Sequence, residues 1–101
     1  MIPEDIKEYD ENDKWNIGKR IQDVRVKLNL KASDVAAYLK IGINQYSRIE
    51  NGRANCTIPQ IFVLTQVLDC SVDYLLFGRE PALNEEQQQA INAVFSAFGK
   101  K

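Results

Sequence analysis

The chain has 101 residues, 45% of them hydrophobic, which suits one compact domain with a small core. It has no histidine and two cysteines, Cys56 and Cys70. That pattern excludes the zinc sites of established ligand spacing and reads as two reduced thiols in or near the core. The net charge of −1 conceals a division: residues 1–14 hold six acids and two bases, whereas residues 15–55 hold eight bases and three acids. A basic middle beside an acidic tail suits a polyanionic partner better than the total charge does.

In chain order, the start Met1-Ile2-Pro3-Glu4-Asp5 has neither a basic flank nor an apolar stretch behind it, so no secretion signal is expected there. Residues 1–13 are acidic and weakly periodic, a tail that is frayed or partly helical. Helix 1 is expected from about Asp13 to Leu28, with Trp15, Ile17, Ile21, Val24 and Leu28 near helical spacing and Asn29 at a left-handed end. Helix 2 follows over Ala32–Leu39, with Val35, Ala36 and Leu39 inward, and Lys40-Ile41-Gly42 forms the turn. Helix 3 covers Ile43–Asn51 and Gly52 stops it.

Thr57 and Gln60 have capping-box spacing at the start of helix 4. Ile58, Ile61, Phe62, Leu64, Val67 and Leu68 cover most of that helix's circumference, which predicts a central, buried element. Ser71 caps a short helix 5 closed by Gly78; Arg79–Leu83 is a linker; Asn84 caps a helix 6 reaching about Phe98. No strand pattern and no membrane-length apolar run interrupts this series, so the expected class is all-α and cytoplasmic, with no membrane contact. The expected division is a tail over 1–13, a domain over 14–78, and a linker with C-terminal helix over 79–101.

Two short helices joined by a three- or four-residue turn form a helix-turn-helix signature. Residues 17–78 resemble the Cro/phage-repressor (XRE) family. The resemblance is carried by Ile17-Gly18-x-Arg20-Ile21, Leu30, Val35-Ala36-x-x-Leu39, Ser47-Arg48-Ile49-Glu50-Asn51-Gly52 and Ser71-Val72-Asp73-Tyr74-Leu75-Leu76. It implies a five-helix, lambda-repressor-like domain that binds double-stranded DNA, here with an extra C-terminal helix. It also implies an ion pair between Arg25 and Glu50. The chain departs from the family in three places. Lys40 stands where Gly is usual, Gly42 where Ser or Thr often caps helix 3, and Ala32 where Gln commonly begins helix 2. Lys40 is therefore expected in the left-handed region.

Residues advance about 100° each around a helix. With Tyr46 and Ile49 inward, Asn44, Arg48 and Asn51 fall on the opposite side of helix 3, with Ser47 on the flank. Asn matches the adenine edge and Arg the guanine edge, and Ile43 at the helix start can meet a thymine methyl. The base-reading candidates are thus Ile43, Asn44, Ser47 and Arg48; Tyr46 is core, its hydroxyl reaching the edge. Phosphate candidates are Lys31, the Ala32 amide, Ser33, Gln45, Asn51, Arg53 and Asn55.

Catalysis has little to stand on: there is no histidine, no phosphate loop, and no Ser or Cys beside a base. Glu85 and Glu86 lie in the first turn of helix 6, where acids favour the dipole. No cofactor and no metal are expected. The expected function is a DNA-binding regulator, a repressor in the first reading. An antitoxin-type autoregulator and a protein-interaction module on the same fold, with an unknown protein partner, are the alternatives. Ile91, Val94, Phe95 and Phe98 form one apolar stripe on helix 6 that must find cover. A homodimer is the expected arrangement, and folding back onto helices 1 and 5 is its rival.

Overall fold

The computed structural model describes residues 6–79 and shows an all-helical fold with no strand among them: α1 (Glu11–Lys27), α2 (Ala32–Leu39), α3 (Ile43–Glu50), α4 (Ile58–Val67) and α5 (Val72–Phe77). Helix 6 and its stripe lie outside the described residues.

Each helix end has a local chemical cause. The α1 start is two residues earlier than the expected Asp13, because Asp10 caps it. Asp13 N–H donates to Asp10 Oδ1 at 3.1 Å, and Asp13 Oδ2 accepts from Asp10 N–H at 2.9 Å. Leu28, Asn29 and Leu30 close it, with Asn29 left-handed at φ 60° and Leu30 N–H donating to Arg25 O. Lys40 ends α2 in the left-handed region at φ 60°, as its place in the turn requires. Asn51 caps the C-terminus of α3 rather than belonging to it, and Gly52 follows at φ +75°. A Cβ on Gly52 would lie 2.8 Å from the Trp15 Cα, so glycine is needed there for space as well as for its dihedral. Thr57 and Gln60 form the expected capping box on α4, and Ser71 accepts from Tyr74 N–H at the start of α5.

The core gathers Ile17 and Ile21 of α1, Val35, Ala36 and Leu39 of α2, Tyr46 and Ile49 of α3, Leu64 and Leu68 of α4, and Leu75 of α5. Cys56 and Cys70 pack against it, partly buried, and burial pushes the Cys56 thiol up to about 11. Helix 4 departs from its expected central place. Only Leu64 within it is buried, while Ile58 and Phe62 are 77% and 69% exposed. The domain is too small to wrap a helix on all sides: α2 and α5 cover one side of α4 and nothing described covers the other. Trp15, Leu28, Val72 and Phe77 are exposed for the same reason.

α1 meets α3 at Gly18. A Cβ there would sit 2.4 Å from the Ile49 carbonyl oxygen and 2.6 Å from that of Glu50, so only glycine lets the two backbones come this close.

Candidate nucleic-acid interface

Helix α3 is divided lengthwise. Tyr46 and Ile49 are buried; Ile43, Asn44, Gln45, Ser47 and Arg48 are all exposed. The angular argument from sequence therefore sorts this helix correctly, and the four base-reading candidates share its open side. Asn51, Arg53 and Asn55, in the loop that follows, are exposed, as are Lys31 and Ser33 at the start of α2. Ala32 is partly buried and its side chain packs on the core, which leaves its backbone amide as the one group it could offer.

The helix starts differ in a way that matters for anions. α1, α4 and α5 have side-chain caps on their first amides. α2 begins at Lys31 and α3 at Gly42, and neither N-cap makes a side-chain cap bond. Uncapped first-turn N–H groups carry the positive end of the helix dipole and await an acceptor. The Gly42 backbone has nothing within 4 Å of where a Cβ would be.

The orientation of α3 is fixed at its far end. Arg25 Nε donates to Glu50 Oε2 at 2.7 Å and Nη2 to Oε1 at 3.2 Å, a two-pronged pair with side chains 15% and 7% exposed. Arg25 Nη1 also donates to the Leu30 carbonyl at 2.9 Å. Contrary to the expectation that it reaches the edge, the Tyr46 hydroxyl turns inward and donates to Glu50 Oε2. Burial, and then this bond to the carboxylate, push the Tyr46 pKa up, and the bond to Glu50 raises that of Arg25. Glu50 is the one buried charged residue of the described chain, and three donor groups from two side chains satisfy it.

Two roles escaped the sequence reading. Arg20 donates from Nε to the Leu75 carbonyl (2.9 Å) and from Nη2 to that of Leu76 (3.0 Å), closing the end of α5. Tyr9 donates to Asn55 Oδ1 at 2.5 Å and ties the N-terminal arm to the loop after α3. Neither has a local signal, since the partners lie 55, 56 and 46 positions away. Arg20 and Arg25 are thus partly buried and committed to hydrogen bonds within the protein, while Lys27, Lys31, Lys40, Arg48 and Arg53 are exposed.

Among the described residues, no helix is long and apolar enough to cross a membrane. Residues 21–75, more than half of the chain, match the helix-turn-helix family. Among solved structures, the fold is similar to a chain of the SinR protein/SinI protein complex, with a TM-score of 0.62 and 26% identity over 84% of each chain. No curated protein matches. Together these findings support a DNA-binding transcription regulator.

Proposed function

Because the chain belongs to the XRE-type helix-turn-helix family, we propose that it is a cytoplasmic, non-enzymatic repressor that reads the major groove of double-stranded DNA with α3. The observation that carries this reading is the joint exposure of Ile43, Asn44, Ser47 and Arg48 on one side of a helix whose other side is anchored in the core. Arg48 matches the O6/N7 edge of guanine and Asn44 the edge of adenine. Phosphates would meet the open amides at the starts of α2 and α3, with Lys31, Ser33, Gln45, Asn51, Arg53 and Asn55 around them. The Tyr9 hydroxyl occupies the acceptor of the Asn55 amide, which leaves its Nδ2 hydrogens as donors for a phosphate.

One such helix contacts only a few base pairs, so the reading includes a homodimer on two half-sites about 34 Å apart. The stripe of Ile91, Val94, Phe95 and Phe98 helps to hold it. Selection of bound duplexes from a random pool tests the function. On a selected site Arg48→Ala should cost about 1–3 kcal/mol and relax preference at one base pair, while Arg53→Ala should weaken all sequences alike. Absence of any salt-sensitive duplex binding at low ionic strength would remove the DNA reading in favour of a protein-interaction module.

A further inference from the structure

The loop between α3 and α4 carries three of the phosphate candidates, Asn51, Arg53 and Asn55, all exposed. Its first half is tied to α3: Gly52 N–H donates to the Ile49 carbonyl at 3.2 Å and Arg53 N–H to that of Arg48 at 2.8 Å. Its second half lacks such ties. Among the described residues, Ala54, Asn55 and Cys56 make no backbone–backbone hydrogen bond. Asn55 also borders an open cavity of about 240 Å³, lined by Lys14, Ile17, Ile49 and Cys56 among others. Packing leaves space beside this part of the loop, and a stretch with few contacts has low local stability. The segment before α1 reaches into that space. The Tyr9 hydroxyl donates to Asn55 Oδ1 at 2.5 Å, from 46 positions away in the chain. The segment is fastened at its base by Lys7, whose ammonium pairs with Asp10 and Asp13, the capping-box residues of α1. Trp15 lies against the other end of the loop, where a Cβ on Gly52 would meet the Trp15 Cα at 2.8 Å. Tyr9 and Trp15 thus hold the loop at Asn55 and at Gly52, and both precede the family-matched residues 21–75.

We propose that Tyr9 is a positioning residue for binding of the DNA backbone: its hydroxyl orders the Asn55 amide in advance, so that the Nδ2 hydrogens are presented to a phosphate. The proposal rests on the DNA reading above and adds to it a residue that acts on the duplex through another. A side-chain amide has one accepting and one donating end, and a phosphate accepts but does not donate. An amide free to rotate offers either end. With the carbonyl oxygen taken up by Tyr9, the donating end is the one left open. Ordering the side chain before the duplex arrives removes part of the cost of immobilising it on binding. The gain is independent of sequence, since every duplex offers the same phosphates. It is also independent of counterion release, because neither Tyr9 nor Asn55 brings a charge.

The test uses full-length chains carrying Tyr9→Phe, Asn55→Ala and both together, with Arg53→Ala as the reference for a lost phosphate charge. Tyr9 is 58% exposed, and Tyr9→Phe keeps its ring while removing one hydroxyl; an unchanged melting temperature establishes that the fold is kept. Binding is titrated on a selected and on a random duplex over a range of salt. Tyr9→Phe should weaken both duplexes alike, by about 2- to 10-fold, and leave the salt slope as it is. Arg53→Ala should instead lower the slope by about one. The double variant should bind as Asn55→Ala does, because the hydroxyl acts through the amide. In NMR of the protein alone, the Asn55 Nδ2 group should be more mobile in Tyr9→Phe than in the parent. Additive losses overturn the proposal, as does an affinity that Tyr9→Phe leaves unchanged. A rise in affinity overturns it too, and assigns the arm to covering the loop. If no duplex binds, the DNA reading fails on its own, and the Asn55 mobility still decides the contact: an amide equally ordered without the hydroxyl is not held by Tyr9.

Discussion

Helices α3 and α4 are neighbours in sequence, each has an open side, and they differ in where they keep their charge. α3 buries a carboxylate and opens a polar side of Asn44, Gln45, Ser47 and Arg48. α4 has no charge anywhere and opens Ile58 and Phe62. The arrangement on α3 is directional, since its far end is held by the hydrogen bonds of Arg25 and Tyr46 to Glu50. The surface on α4 is apolar, and burial of apolar area has no preferred direction. α3 is fastened by a polar latch. α4 is held by its cap and by two buried leucines, Leu64 and Leu68.

The contrast can be broken first at the latch. Glu50→Ala leaves the Arg25 guanidinium and the Tyr46 hydroxyl without their shared acceptor, and should cost about 3–5 kcal/mol in denaturant unfolding. A loss under about 1 kcal/mol would show that α3 is held by packing, as α4 is. Gly18→Ala comes next. Its methyl would meet two carbonyl oxygens of the α3 end, so α1 and α3 must separate, for about 1–3 kcal/mol. If the latch is what aims α3, this variant should also weaken DNA binding beyond its effect on stability, read at a temperature where it remains folded. The smallest change sharpens the comparison in the stabilising direction. Lys40→Gly removes a side chain held at φ 60° and should raise stability by about 1 kcal/mol, seen as a higher denaturation midpoint. No gain there would mean that the turn before α3 carries no strain.

Much of this was legible because it is local. Helix ends follow from short-range hydrogen bonds: Thr57 with Gln60, Ser71 with Tyr74, Gly52 and Gly78 at left-handed ends, and Lys40 forced into the same region by its place in the turn. The sides of α3 follow from counting residues once Tyr46 and Ile49 are assigned to the core. The Arg25–Glu50 pair came from family resemblance, and the structure places the two side chains together.

What the sequence could not determine is what covers an apolar surface. Leu64 and Ile58 are both aliphatic residues of one helix, yet one is fully buried and the other 77% exposed. The apolar residues of α4 surround its axis, so periodicity has no preferred direction to report. The same limit applies to Tyr46, whose hydroxyl turns inward because Glu50 and Arg25 supply a charged partner there. It applies to Arg20 as well, whose carbonyl acceptors are brought near only by the packing of α5 on α1. Local chemistry, written in adjacent residues, determined where each helix begins, ends and divides. Exposure and long-range partnership depend on which surfaces a small domain has left over after packing, and only the tertiary structure decides that.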